Sequence, residues 1–307
     1  MLSLVLAATL CSPVTTPFTG TLCAPNDGKR HAAMLLLGGS EGGDSMAPLA
    51  RQFADHGYVT ASVAYFKAPG VQPTLVDVPV ETVKHAIDAV SARSDVRADR
   101  IGVLGLSKGG ELSLLVASTY PQIRAVIAVV PSPFAYMGLG QYGRATACSW
   151  TVNAKTLPCI PPSPQGNAIV AAQAQAGKPI RLKPFYEAAR TADPAVTNAA
   201  YFPLERIHGP VLCLAAQDDQ IWNSPEQCAL ALQYLHRHHH PYADRSIVYP
   251  GAGHLFILAA DGPQHALNVM TTPGGSIAFG GTPQADATAG SAAFKQIWAY
   301  LASALGP

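Results

Sequence analysis

Ser107 lies in Gly105-Leu106-Ser107-Lys108-Gly109, between a run that reads as a buried strand, Arg100 to Leu104, and one that reads as a helix, Gly110 to Val116. A G-x-S-x-G segment in that setting constrains the fold more than anything else in the chain. The serine must turn the backbone sharply from strand to helix, and the flanking glycines must let the two elements approach closely. The hydroxyl is then held clear of the sheet. A serine hydroxyl attacks nothing at neutral pH unaided, so the elbow calls for a histidine and a carboxylate further along, in the order Ser, Asp, His.

The remaining segments supply the sheet that such an elbow needs. Ala32 to Leu37 is a continuous apolar run that opens into Gly38-Gly39-Ser40-Glu41-Gly42-Gly43, a central strand leading into a glycine-rich loop. Asp44 or Ser45 is the expected cap of a helix through Phe53 and Ala54 that stops at Gly57, and Tyr58 to Tyr65 is the next strand. A helix is expected from near Pro79, where Val83, Ile87 and Val90 recur at helical spacing, and Ala125 to Val130 is a further buried strand. Regular structure resumes with Val211 to Leu214, a helix around Ala229 to Leu235, a strand at Ser246 to Tyr249, and a terminal helix containing Phe294, Ile297, Trp298 and Leu301. This alternation predicts an α/β fold: a three-layer αβα sandwich on a mostly parallel sheet of about eight strands. From Pro131 to about Arg206 the alternation gives way to proline-, glycine- and alanine-rich sequence with scattered aromatic residues. The stretch is too long for a plain connection. The expectation is one domain over residues 1–307, with 131–206 an irregular, cap-like insertion covering the active site.

With 49% hydrophobic and 13% charged residues, the chain can bury a large core. A net charge of +1 without a sustained basic stripe lacks the usual footprint for nucleic acid or an anionic membrane, which leaves a small neutral or locally anionic substrate as the expected partner. No apolar run approaches the roughly 20 residues that span a bilayer. Met1 to Leu10 has the length of a signal-peptide apolar region without its preceding basic residues, and reads equally as an edge strand, so a cytoplasmic and an exported location both stay open. Among the six cysteines, Cys213 in a buried strand and Cys228 on a helix read as free, apolar thiols, whereas Cys148 and Cys159 flank a short polar stretch where a local disulfide would fit.

Val211 to Ala215 runs into Ala216-Gln217-Asp218-Asp219-Gln220-Ile221-Trp222, placing two acids at the ligand-binding edge of a sheet. Asp219 is the choice to orient the base, and Asp218 the one to cap the turn or point away. After the strand at Ser246 to Tyr249 comes Pro250-Gly251-Ala252-Gly253-His254, a loop able to bring an imidazole over the elbow. His254 is the expected general base, with Nε2 toward Ser107 and Nδ1 toward Asp219. The oxyanion needs two donors. The backbone N–H of Lys108, at the start of the elbow helix, is the first; Gly39 or Ser40 is the candidate for the second, unless those glycines serve only as a tight turn.

Other features carry less. His236 and His238-His239-His240 resemble a metal cluster, but histidines at a helix end are mostly solvated and no nearby carboxylate or cysteine completes a ligand set; no metal or organic cofactor is expected. Glu111, one turn from Ser107, is expected to cap or pair locally. The glycines after Leu37 do not follow the dinucleotide-binding order.

Together these residues resemble the C-terminal domain of the acyl-CoA thioester hydrolase and bile acid-CoA:amino acid N-acyltransferase family, among the dienelactone-hydrolase-like α/β-hydrolases. The matching segments are Leu37 to Gly43, Ala64-Tyr65-Phe66, Ile101 to Glu111, Asp218 to Ser224, Tyr249 to His254, and Phe279-Gly280-Gly281-Thr282-Pro283. The resemblance implies a Ser107, Asp219, His254 triad and acyl transfer from a thioester or an ester. Two departures stand out. The chain has no room for the immunoglobulin-like N-terminal domain of the animal members, and the acyltransferase branch carries cysteine where Ser107 stands, which favours hydrolysis. The rival expectations are amino-acid N-acyltransfer from an acyl-CoA, a dienelactone-hydrolase-like esterase, and a catalytically idle binding protein on the same fold.

Overall fold

A computed structural model of the chain describes residues 9–141, 145–272 and 275–306. The first strands are β1 (Thr9–Val14), β2 (Gly20–Pro25), β3 (His31–Leu37), β4 (Val59–Val63), β5 (Val78–Pro79), β6 (Val96–Leu106) and β7 (Ile123–Val129). There follow β8 (Met137–Leu139), β9 (Ala145–Cys148), β10 (Trp150–Val152), β11 (Lys155–Thr156), β12 (Val211–Ala216), β13 (Arg245–Tyr249), β14 (Val269–Thr272) and β15 (Gly275–Ala278). The helices are α1 (Ala47–Asp55), α2 (Glu81–Ser91), α3 (Lys108–Thr119), α4 (Pro164–Gln175), α5 (Lys183–Ala192), α6 (Pro194–Ala199), α7 (Ser224–Arg237) and α8 (Pro283–Leu305).

Eight strands form the central sheet in the order β1-β2-β4-β3-β6-β7-β12-β13. The ladders from β4 through β13 are parallel, and β2 pairs antiparallel with both β1 and β4. The period of two along β3 builds the layers. Ala33, Leu35 and Leu37 join a core with Val83 and Ile87 of α2, Leu112 and Val116 of α3, and Leu235 of α7. Met34 and Leu36 point the other way, to Phe53 of α1 and Ile297 and Leu301 of α8. A strand buried on both faces has no polar alternation, which is why β3 reads as an unbroken apolar run. Burying each such leucine contributes about 1.5–3 kcal/mol.

Several expectations change. Residues 1–8 lie outside the described residues, and Thr9–Val14 is an edge strand of the sheet. Neither Asp44 nor Ser45 caps α1, whose N-cap is Met46 without a side-chain bond. Asp44 instead accepts from the Thr21 and Ser62 hydroxyls, tying the loop to β2 and β4, and Ser45 Oγ donates to Glu41. The stretch 131–206 is more regular than its composition predicts: it carries β8 to β11 and α4 to α6, with Ser163 and Asp193 as side-chain caps ahead of prolines. Cys213 and Cys228 are not free thiols. They are bonded to each other, as are Cys11 with Cys23 and Cys148 with Cys159. Helix α7 packs back along β12 and brings Cys213 and Cys228 together, a proximity that periodicity within each element does not reveal.

Candidate active site

Ser107 ends β6 and begins α3 with φ 58° and ψ −118°. That left-handed conformation is costly for a residue with a Cβ, and the surroundings enforce it. A Cβ on Gly105 would lie 1.9 Å from the Gly109 carbonyl oxygen, and one on Gly109 would lie 2.2 Å from that of Leu37. Only glycines fit where strand, helix and neighbouring strand meet this closely.

His254 Nε2 lies 2.7 Å from Ser107 Oγ, and its Nδ1 lies 2.9 Å from each carboxylate oxygen of Asp219. Ser107 is 8% exposed, His254 2% and Asp219 1%. Three side chains far apart in sequence thus form one buried hydrogen-bonded line, from strands β6, β12 and β13. Asp219 Oδ1 also accepts from the backbone N–H groups of Ile221 and Trp222, at 2.9 and 3.2 Å, which fixes its orientation toward the imidazole. Asp218 faces elsewhere: its carboxylate accepts from Gly281 N–H and Gln220 Nε2 and secures the turn that follows β15.

The Lys108 N–H stands at the first position of α3, with the positive end of the helix dipole behind it. On the β3 side, Gly39 approaches Ser107 closely enough that a Cβ on the glycine would sit 3.3 Å from that of the serine. Its N–H, however, donates to Glu41 Oε1 at 2.9 Å, and the same oxygen accepts from Ser45 Oγ at 2.6 Å. Of the two candidates for the second donor, Gly39 already serves the Glu41 carboxylate, while Ser40 lies exposed one residue further on.

The side chain of Lys108 turns inward. Its Nζ lies 2.7 and 2.8 Å from the two oxygens of Glu111, a residue with no exposure at all, and 5.2 Å from the centroid of the Trp150 ring. Glu111 Oε1 also accepts from Trp150 Nε1 at 2.7 Å and from Tyr136 N–H at 3.2 Å. Burial pushes the Glu111 carboxyl up and the Lys108 amine down from their ordinary values, and the pairing opposes both shifts. The local pairing expected for Glu111 therefore joins the elbow helix to the 131–206 stretch.

Sequence reasoning missed several supporting residues. The Tyr65 hydroxyl donates to the Gly38 and Gly39 carbonyls at 2.6 and 3.1 Å, and Asp286 accepts from Gly253 N–H at 2.7 Å and Asn268 Nδ2 at 2.6 Å, anchoring the histidine loop. Trp222 donates from Nε1 to the Val130 carbonyl and presents a ring edge to His254 at 5.7 Å between centroids. Tyr65 stood within a matching segment, but nothing in its composition marked the contact. Phe134, Tyr136, Phe185, Tyr186 and Trp222 pack into one buried cluster beside the imidazole. A cavity of about 560 Å³ lined by Leu115, Val152, Leu157, Tyr201 and Phe202 lies further along α3, and Ser107, Asp219 and His254 are not among its lining residues. The histidines of the α7 end are employed locally: His238 Nδ1 lies 2.9 Å from the Tyr234 carbonyl, and His240, read as solvated, is buried between the Asp244 carboxylate at 2.6 Å and the Ile207 carbonyl at 2.9 Å.

Residues 78–307 match the family described as BAAT / acyl-CoA thioester hydrolase C terminal. The chain belongs to this family. Among curated members of similar sequence, acyl-coenzyme A thioesterase 2, mitochondrial, of Mus musculus is 28% identical over 265 residues, 86% of this chain and 54% of its own length. Acyl-coenzyme A thioesterase 1 of Homo sapiens is 25% identical over 287 residues, 94% of this chain and 63% of its own length. The BAAT-type chain thus spans between about half and two thirds of these relatives. Its fold is that of the α/β-hydrolases. A dienelactone hydrolase-like promiscuous phosphotriesterase from metagenomic libraries superposes with a TM-score of 0.56 at 15% identity, covering 97% of this chain and 100% of that one. The α/β hydrolase GrgF from Penicillium sp. sh18 gives 0.54 at 14%, covering 98% and 100%.

Proposed function

We propose that this chain is a serine hydrolase that cleaves acyl thioesters, or carboxylic esters, through an acyl-enzyme on Ser107. The observation that carries the reading is the hydrogen-bonded line from Asp219 through His254 to Ser107. Thioesters come first because the curated relatives named above are acyl-coenzyme A thioesterases.

In this reading His254 Nε2 takes the Ser107 proton as Oγ attacks the acyl carbonyl, and Asp219 holds the imidazole tautomer and stabilises the imidazolium. The tetrahedral oxyanion is received by the N–H of Lys108 and that of Ser40, while Glu41 keeps the Gly39 N–H and so fixes the loop that presents Ser40. One such donor is worth about 3 kcal/mol of transition-state stabilisation. Collapse breaks the carbonyl–sulfur or carbonyl–oxygen bond, and His254 returns its proton to the leaving thiolate or alkoxide. Water, deprotonated by His254, then attacks the acyl-serine and releases the acid and the free hydroxyl. The stretch 131–206 acts as the cap, its aromatic cluster forming the wall beside the imidazole.

The test pairs a fluorophosphonate probe with substrate panels. Intact mass and peptide mapping should find one adduct, on Ser107, absent from Ser107→Ala. Thiol release from acyl-CoAs should exceed turnover of p-nitrophenyl esters in kcat/KM. An unlabelled Ser107 with no turnover of either panel sinks the reading; an amide conjugate replacing free acid when an amino acid is added moves it to acyl transfer.

A further inference from the structure

The segment that follows His254 exposes apolar side chains around the buried Phe256, Ile257 and Ala259. Among the described residues, seven large hydrophobic side chains are exposed, and four of them, Leu258, Leu267, Val269 and Met270, fall in this one stretch, at 48%, 38%, 47% and 38%. From Gly262 to Ala285 there is neither an acid nor a lysine or arginine, and His265 is the one titratable side chain. β14 pairs with β15, and β15 is bridged on its far side by Ile180, whose N–H donates to the Ser276 carbonyl at 2.7 Å and whose carbonyl accepts from Ala278 N–H at 2.9 Å. Lys178 and Arg181, both exposed, flank Ile180. Before them runs α4, largely exposed and without a charged residue. No aspartate or glutamate occurs between Glu111 and Glu187. The acids at the borders are Asp261, exposed at the start of the apolar segment, and Asp218 and Asp286, both bonded to backbone N–H groups. The near-neutral balance of the whole chain conceals this segregation, because the charges are set apart by stretches without acids rather than gathered in a continuous basic stripe.

We propose that the β14–β15 hairpin docks on an anionic lipid layer by its β14 edge, so that Val269 and Met270, which a strand sends to opposite sides, both enter the boundary between headgroups and acyl chains beside Leu267, while Lys178 and Arg181, one strand behind β15, rest on the headgroups. Clustered exposed apolar side chains mark an interaction surface, and adjacent cations select a negatively charged one. A second copy of the chain would set the same cations against each other, with Asp218 and Asp261 the exposed acids at the border, whereas a lipid layer satisfies both the apolar and the cationic part. β15 runs directly into Phe279, whose carbonyl accepts the His254 N–H at 2.8 Å, so docking places the site beside the layer. The inference goes beyond the hydrolase reading and does not depend on Ser107.

The experiment is cosedimentation of the whole chain with phosphatidylcholine vesicles, with and without phosphatidylglycerol. The expected result is binding to the anionic vesicles that weakens in high salt, about tenfold weaker binding for Val269→Asp/Met270→Asp, and loss of the anionic preference for Lys178→Glu/Arg181→Glu. Melting curves of each variant show that the fold is retained, and Ser107→Ala should bind as the wild type does, which separates this result from any failure of the catalytic reading. No binding to either vesicle, equal binding by Val269→Asp/Met270→Asp, or light scattering that finds a dimer abolished by the same pair of substitutions would each overturn the proposal.

Discussion

Asp219 offers a way to separate charge from shape. Its Oδ1 accepts two backbone N–H groups, and an asparagine oxygen can keep both, but the amide nitrogen would then face His254 Nδ1 and impose the wrong tautomer. Asp219→Asn should lower kcat about 10⁴-fold while leaving the urea midpoint nearly unchanged; a parallel loss of stability would show that the residue serves the turn alone. His240 titrates in a different setting. Burial by itself would lower its pKa, but the Asp244 carboxylate and the Ile207 carbonyl, one at each ring nitrogen, raise it above the ordinary 6.5. The stability from this imidazolium is therefore complete below the unfolded value and is lost as pH rises through the higher folded one. Melting temperature followed from pH 6 upward should fall in this window for the wild type and less for His240→Gln; identical slopes would remove the claim. The three residues of the buried hydrogen-bonded line were legible, because Ser107, Asp219 and His254 each follow a recognisable strand. Glu41, Tyr65 and Asp286 were not, because each binds backbone groups, and for the two acids a side chain besides, whose positions only the folded chain defines.

At the scale of elements, α3 is coupled to the 131–206 stretch through Glu111, which holds Lys108, Trp150 and the Tyr136 N–H together in a buried site. Removing one member of a buried ion pair leaves the other uncompensated, so Glu111→Ala should cost about 3–5 kcal/mol in urea denaturation, and Glu111→Leu with Lys108→Met should cost less. An equal cost for both variants would mean that packing, not charge, dominates there. The Cys213–Cys228 bond closes a loop whose interior carries Asp219, joining β12 to α7 on either side of it. Replacing both cysteines by alanine should cost about 2–4 kcal/mol in the same assay; a midpoint matching the wild type would show the bond to be incidental. Strand and helix order was readable from periodicity, since β3, β7 and β12 are continuous apolar runs. The short strands β8 to β11 were not, because strands of two to four residues leave too little pattern in a proline-rich stretch.

Across the whole molecule, the site draws on both halves of the sheet: the serine, aspartate and histidine follow β6, β12 and β13, whereas the Gly39 and Ser40 loop follows β3. The family match begins at residue 78, yet β3 and β4 lie before it, and β3 sits inside the sheet between β4 and β6. A fragment of residues 78–307 should accordingly lack a cooperative melt in circular dichroism and regain one when residues 1–77 are supplied in trans; a cooperative melt of the fragment alone would refute this. The interior place of β3 also bears on how the polypeptide is made. Ala32 to Leu37 is made before its neighbour β6, so a sticky, half-paired ribbon persists until translation has passed Leu106, and this strand is the part of the sheet most in need of shielding meanwhile.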